Sequence, residues 1–402
     1  MDEVIIAGCG VAGSFLALRA LQLGLKPTLM RAPIPALGGV EIIPASAGRL
    51  LDELGLAGVL AGLGAGLGDG LTRRRADETI DVAPGRSLHV DRVRLRDGLL
   101  TEAAWRGARI RDVERLPPPD PMIYSVDATG HRSVWSRPVV RLGRHAADIF
   151  AAEAAVAPGT GRLVLLDQGW AYLASDQSLA TVGVVGRYAG APTALDAKTR
   201  QGLGLAPSIP FRFLGRRPAF VQWARAPVVG RRLAIGDAAF HHDPIGGRGI
   251  SFALGSAFAS AAVLVTWRDD PDAADTAQAY YEDYVASEVR RHLSFLDGEA
   301  YPLPASTELP ERLQWIAPAA TGALVAGARV VSGEVFMLAA GQRTRWAGGL
   351  DLARLRQLII EPQPTATVAE RLRAHGLTAA EARSALVWAL AQGLIAPAGP
   401  RD

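Results

Sequence analysis

The sequence predicts a mixed α/β (α+β) protein in which strand–turn–helix units share the chain with an antiparallel sheet. Three glycine-marked segments in a fixed order carry that prediction: Gly8-Cys9-Gly10-Val11-Ala12-Gly13, Asp127-Ala128-Thr129-Gly130, and Gly236-Asp237 running into Pro244-Ile245-Gly246-Gly247-Arg248-Gly249. Short β-type runs between Arg137 and Arg225 supply the antiparallel part: Leu163-Val164-Leu165-Leu166, Trp170-Ala171-Tyr172-Leu173 and Ala180 to Val185, separated by turn residues such as Ser175-Asp176-Gln177.

The first segment follows the apolar run Val4-Ile5-Ile6-Ala7 and opens a stretch with helical apolar spacing from Ser14 to Leu23. That is the strand, tight turn and helix of a dinucleotide-binding unit, whose glycines let the backbone approach a pyrophosphate at a helix N-terminus. Gly8, Gly10, Val11, Ala12 and Gly13 are therefore expected cofactor contacts. One position departs from the pattern. After Pro27-Thr28-Leu29 the acidic residue expected to bind the adenosine ribose is replaced by Met30, followed by Arg31, which is expected to take part of that role. The second segment ends the run Met122 to Val126; Asp127 is either a ligand for a cofactor group or water, or a turn residue, and Gly130 permits a turn with positive φ.

In the third segment Leu233-Ala234-Ile235 reads as a short strand ended by Gly236-Asp237, and Pro244 to Gly249 lead into the apolar helix from Ile250 to Trp267. Asp237 is expected to hydrogen-bond a ribityl chain. Backbone N–H groups near Gly247 to Gly249, with Pro244 and Gly246 shaping the turn, are expected to face the negative charge of a reduced flavin ring. A glycine-rich turn before a buried helix explains neither the carboxylate nor the order of the three segments. Together they indicate FAD.

At 402 residues the chain holds two or three domains. The 43 basic residues include only two lysines, Lys26 and Lys198, and the net charge is +3, so the arginine excess reads as a coding bias and argues against a nucleic-acid ligand. The single Cys9 excludes an intramolecular disulfide and any multi-cysteine metal site; no metal is expected. The chain enters its first strand without a signal-peptide pattern, and the longest apolar stretch, Ile250 to Val265, is short for a membrane span, so a cytoplasmic protein is expected.

Elements of the FAD-binding domain are expected at about 1–65, 89–135 and 226–300, a substrate domain at 66–88 and 136–225, and a small domain at 301–402. Gly62 to Gly70, with five glycines in nine positions, reads as a loop. After the linker prolines Pro302, Pro304 and Pro310, a helix from Leu350, a break at Glu361-Pro362-Gln363-Pro364, a helix with Thr367-Val368-Ala369-Glu370 as its capping box, and a helix from Thr378 resemble a small winged-helix-like module. Its last helix carries Arg383 against Glu381 and no basic stripe, which favours protein docking or a lid over DNA reading.

The order and content of these segments resemble the single-component FAD-dependent monooxygenases of the aromatic hydroxylase type and their relatives, the flavin-dependent halogenases, over about residues 1 to 300. The likeness extends to Gly39-Val40-Glu41-Ile42-Ile43-Pro44 with Arg49 to Leu56, to His89-Val90-Asp91-Arg92-Val93-Arg94 ahead of a helix from Leu99 to Trp105, and to Gly169-Trp170-Ala171-Tyr172. It implies a Rossmann-type, glutathione reductase-like FAD-binding domain, a flavin contact from Arg92, a place for Glu41 at the cofactor, and a substrate-lining strand in which Tyr172 and Trp170 either wall the pocket or pack in the core. The lysine and the paired-tryptophan strand ending in Ile-Pro that halogenases use are both missing. No second nucleotide fingerprint is present, so NADH or NADPH is expected to visit the flavin transiently, and hydroxylation through a C4a-hydroperoxyflavin is the leading chemistry.

His241 and His242, beside Asp243, are candidates for acid–base work or for hydrogen-bonding the peroxide; the plain alternative is a loop histidine bound to backbone. Arg248 either neutralises the reduced flavin or pairs with a structural carboxylate. With Tyr172 these are the catalytic candidates. The resemblance further points to flavoproteins that oxygenate a tryptophan within another polypeptide during tryptophylquinone biogenesis of quinohemoprotein amine dehydrogenases. Hydroxylation of a small indole or phenol, and flavin binding without turnover, are the alternatives.

Overall fold

The computed structural model describes residues 2–33, 37–74, 80–153, 156–167, 169–186, 194–296, 308–339, 341–347 and 350–398. The chain forms two compact units, Met1–Arg268 and Asp269–Asp402.

The first unit is organised around a six-stranded sheet. Its elements are β1 (Glu3–Ala7), α1 (Val11–Gln22), β2 (Lys26–Arg31), α2 (Arg92–Trp105), β3 (Arg109–Asp112), β4 (Tyr124–Asp127), β5 (Arg232–Ala234) and α3 (Gly249–Asp269). The order across the sheet is Val228–Val229, β5, β4, β1, β2, β3. Strands β1 to β5 run parallel, and the register sets Ala7 beside Asp127 and Asp127 beside Ala234. Three of these strands, β1, β4 and β5, end where a glycine segment begins, so all three segments emerge at one carboxyl edge, where open parallel sheets bind their ligands.

Backbone contact holds the segments together there. Gly8 has φ +113°, and a methyl group on it would overlap the Ala128 carbonyl. A methyl on Gly13 would overlap the Gly8 carbonyl, and one on Gly236 would lie 2.9 Å from the Ala12 side chain. Helix α1 is buried continuously from Val11 to Ala20, as is most of α3, and both read as apolar on every face for that reason. Helix α3 is long and apolar enough to cross a membrane, yet 78% of its apolar window is buried inside the chain, the condition of a core helix. Helix α2 begins at Arg92, seven residues before the expected Leu99, because Asp91 caps it: its carboxylate accepts the N–H groups of Val93 and Arg94 at 2.9 and 3.0 Å.

An eight-stranded sheet carries the order Arg212–Pro218, Ala146–Glu153, Leu179–Gly186, Gly169–Ser175, Gly161–Leu166, Gly66–Arg74, Ile80–Asp91, Val40–Pro44. All its pairs are antiparallel except Gly161–Leu166 with Gly66–Arg74. The expected loop from Gly62 to Gly70 is corrected here: helix Ala57–Gly62 ends at its start, and Gly66–Arg74 is a strand paired with Ile80–Asp91. Its glycines serve close packing rather than flexibility. A methyl on Gly66 would lie 2.9 Å from the Gly159 nitrogen, and one on Gly68 2.6 Å from both the Gly159 carbonyl oxygen and His89 Nε2. A third, three-stranded sheet pairs Val221–Ala224 with Phe240–His241 and Val139–Leu142.

The second unit combines helix Ala274–Leu296, an antiparallel sheet of Ala319–Ala326, Arg329–Met337 and Arg343–Thr344, and a smaller sheet of Gln363–Pro364, Arg312–Trp315 and Ile395–Pro397. Helices Leu352–Leu358, Thr365–Ala374 and Ala379–Ala391 close on that smaller sheet around a core that includes Leu313, Phe336, Leu372, Leu386 and Leu394. The three helices follow in the expected order, and the expected break at Glu361 to Pro364 contains the short strand Gln363–Pro364. The capping box is corrected: the middle helix starts at Thr365, not after Thr367, because the Thr365 N–H donates to Glu311 O at 2.9 Å and its hydroxyl to Pro310 O, which fixes chain entry two residues earlier.

Gly8 and Gly10 should separate packing from ligand contact. Gly8→Ala is expected to cost about 3 kcal/mol in urea-induced unfolding, from a strained φ and a backbone overlap. Gly10→Ala, whose added methyl meets nothing within 4 Å, should stay within about 1 kcal/mol of the parent chain.

Candidate functional site

The glycines at the carboxyl edge of the six-stranded sheet fall into two kinds. Gly8, Gly13 and Gly236 are filled against neighbouring chain, whereas an added methyl at Gly10, Gly130, Gly247 or Gly249 would meet, beyond its own chain neighbours and helix turn, nothing within 4 Å among the described residues. Gly10 has an ordinary extended φ of −79° and starts α1 with no side-chain cap and no acidic residue in the first turn. Neither conformation nor packing against protein requires glycine there, and the bare backbone leaves room for a group that approaches the first N–H groups of α1. Gly249, the first residue of α3, is bare in the same way. The turn before it is set by Asp243, whose carboxylate accepts Ile245 N–H at 2.9 Å, and by Pro244, which opens a turn of 3₁₀ helix to Gly246. Arg248 lies half-buried at the head of α3, its carbonyl accepting the Phe252 N–H at 2.9 Å.

The two acidic residues of the glycine segments have different surroundings. Asp127 is fully buried and its carboxylate accepts Thr129 N–H at 3.0 Å, Thr129 Oγ1–H at 2.6 Å and Trp135 N–H at 2.7 Å. Both oxygens are thus occupied by its own loop, which they pin against the sheet, the turn role of its two expected readings. Asp237 follows β5, its carboxylate 3.3 Å from His241 Nδ1. Burial pushes its carboxyl up, but the charges of His241, Arg92 and His242 outweigh that and hold it well below the usual range.

His241 forms a three-ring cluster with His131 and Phe220, at 5.7 and 5.2 Å between centroids, and its Nε2 is buried without a hydrogen-bond partner among the described residues. Arg141 lies over the Phe220 ring at 4.2 Å and donates to Gln222, whose amide donates to the His131 carbonyl at 2.7 Å. His131 escaped the sequence reading although it follows Gly130 directly. His242 points elsewhere: it packs on Phe240 at 3.9 Å and Phe252 at 5.1 Å, so strand alternation sends the two adjacent histidines to different surroundings.

A second cluster joins three expected residues to one that was not expected. Glu41 Oε1 accepts Arg92 Nη1 at 3.2 Å and Arg217 Nη1 at 3.1 Å, and Arg217 also donates to the carbonyls of Leu37 and Gly38 at 2.8 and 2.6 Å. Burial pulls Arg92 down, but Glu41 and Asp237 prevail and raise it, which links this cluster to Asp237. Burial raises the Tyr172 phenol against the opposing charges of Arg217 and Arg92. Register places Tyr172 opposite Gly183, where a side chain would collide with its ring, and Trp170 is buried beside it at 5.9 Å, the packing role of its two expected ones. No local signal around Gly215-Arg216-Arg217 reveals Arg217, since its partners lie about 176 to 180 residues away.

Arg31 ends β2 in a forked ion pair with Asp112, the last residue of β3, at 2.5 and 2.8 Å. Both lysines are exposed and paired with carboxylates, Lys26 with Asp2 and Lys198 with Asp167. Among the described residues no group of three His, Cys, Asp or Glu suits a metal ion.

The pH response of the fold follows from His131 and Asp237. Burial and the neighbouring His241 hold His131 below the usual histidine range. The folded chain therefore binds that proton less tightly than the unfolded chain, so the stabilisation is present above about pH 6.5 and is lost as pH falls through the depressed folded value. Asp237 adds a loss of the same sign below about pH 4. Urea midpoints are expected to fall between pH 7 and pH 5, and His131→Gln should flatten that limb while leaving the steeper loss below pH 4.

No family model matches the chain, and no curated protein sequence does. Solved structures do match. The peptidyl tryptophan dihydroxylase QhpG, essential for tryptophylquinone cofactor biogenesis, is 19% identical with a TM-score of 0.62 over 97% of this chain and 99% of that one. The flavin-dependent halogenase CmlS is 17% identical, TM-score 0.67, over 98% and 95%. The flavin-dependent brominase Bmp2 is 16% identical, TM-score 0.63, over 73% and 86%. At such identities the likeness establishes architecture: the chain has the mixed α/β fold shared by flavin-dependent halogenases and this dihydroxylase.

Proposed function

We propose that this chain is an FAD-dependent monooxygenase that hydroxylates a tryptophan side chain of a partner polypeptide, with NADH or NADPH as the transient reductant. The observation that carries the cofactor reading is the pair of bare glycines, Gly10 and Gly249, at two helix N-termini on one sheet edge, with Asp237 beside them. The N–H groups that follow Gly10 suit a pyrophosphate, Asp237 suits the ribityl hydroxyls, and the start of α3 suits the electron-rich end of a reduced flavin. The flavin, once reduced, supplies the electrons that activate dioxygen.

The chain's own residues do the rest. Glu41 and Arg217 hold Arg92 as a fixed positive charge near Asp237, and Asp237 orients His241 through Nδ1, leaving Nε2 as the nitrogen available to hold or pass a proton. Tyr172 offers an un-ionised phenol on the sheet that faces this cluster. Hydroxylation is favoured over halogenation because neither lysine is placed for it: both are exposed and engaged by carboxylates. A polypeptide substrate is compatible with a cavity of about 770 Å³ that borders Leu37 and Gly38, the segment held by Arg217, a volume that a small aromatic would fit equally. It also fits the likeness to QhpG along nearly the whole of both chains. The likeness to CmlS keeps halogenation as the second reading.

Intact mass spectrometry decides among these readings, using a tryptophan-bearing polypeptide encoded beside this chain's gene, with FAD, NADH or NADPH, air and bromide. Gain of one or two oxygens on tryptophan is the expected result. Gain of bromine would establish the halogenase reading, and oxygen entering only free indole or phenol would move the substrate to small molecules. Asp237→Ala should reduce flavin occupancy at least tenfold, read from the visible spectrum of the purified chain.

A further inference from the structure

We propose that Asp112, on the strand next to β2, supplies the carboxylate that receives the ribose diol of the adenosine half of the cofactor, a role resting on the FAD reading above. In a dinucleotide-binding unit that carboxylate ordinarily stands at the end of the second strand and accepts the ribose hydroxyls. Here Met30 takes the place of that acid, and β2 ends one residue later in Arg31. A guanidinium has donors only and cannot accept a hydroxyl proton.

The register supplies a substitute. Arg31 pairs directly with Asp112, so a carboxylate stands one strand over at the same carboxyl edge. Arg31 Nε and Nη2 donate to Asp112 Oδ1 and Oδ2, occupying one lone pair on each oxygen and leaving the other open. The Asp112 side chain is 70% exposed, so the open lone pairs face outward rather than into protein. The pair also flanks the glycine turn. The Met30 carbonyl, one residue before Arg31, accepts the Gly8 N–H at 3.0 Å. The Cys9 thiol, pushed up to about 11 chiefly by burial, feels both Arg31 and Asp112. An exposed ion pair contributes little to folding. Its forked geometry at this point is better explained by orientation: Arg31 is the positioning residue that keeps the Asp112 carboxylate aimed.

Equilibrium binding of FAD, FMN and ADP to the full-length chain tests this, by flavin fluorescence and by calorimetry for ADP. Asp112→Ala should weaken FAD and ADP about tenfold and leave FMN unchanged, since FMN lacks the adenosine. Met30→Glu combined with Asp112→Ala restores an acid at the usual position on β2 without restoring the ion pair, and should return FAD to within about threefold of the parent affinity. A purely structural pair predicts the opposite: equal weakening of all three ligands, a lowered melting temperature and no recovery in the double variant. Parent-like FAD affinity in Asp112→Ala, or no recovery in the double variant, overturns the assignment. If the parent chain binds FMN and ADP but Asp112→Ala changes neither, only this role fails; if the parent binds no flavin, the cofactor reading falls and this role with it.

Discussion

Gly8, Gly13 and Gly236 share one constraint: each brings backbone against a neighbour at a distance that admits no methyl group. Gly8 meets the chain after β4, Gly13 meets Gly8, and Gly236 meets the first turn of α1, so three segments more than a hundred residues apart close into one edge. Everything at the candidate site inherits its position from that closure. The parallel register levels the strand ends, and close backbone contact keeps the loops that follow from drifting apart.

Charge is distributed over that edge in a balanced way. Two guanidiniums, Arg92 and Arg217, face two carboxylates, Glu41 and Asp237, and each shared contact offsets the cost of removing a charge from water. His131 is held below the usual histidine range by burial and by its histidine neighbour, so it adds no charge to these pairs at neutral pH. A balanced set of this kind holds its geometry without a bound ligand. It is also sensitive to single changes, because removing one partner leaves the other charge partly buried and unpaired.

Sequence reading was strongest where a local rule exists. The glycine segments, Asp237, the two readings of Asp127, and the stretches around Glu41 and Arg92 were all visible because turn chemistry and helix entry act over a few residues. It failed where tertiary contact reversed a local tendency. The glycines from Gly66 to Gly68 read as a flexible loop, yet they form a strand because Gly159 and His89 lie too close for any side chain. Thr367 and Glu370 have capping-box spacing, but Glu311 and Pro310 capture Thr365 first.

The sequence by itself determined that three glycine-marked turns, the third carrying Asp237, exist in one chain, and that with Cys9 as its single cysteine the chain has no multi-cysteine metal site. Those are properties of spacing, carried by short-range backbone geometry. Only the tertiary structure decided that Asp127 serves its own loop, that Arg217 completes the Glu41–Arg92 pair, and that Asp112 stands beside Arg31. Each of those rests on strand register or side-chain contact between residues far apart in the chain, and such pairings are set by which faces bury together rather than by any local pattern.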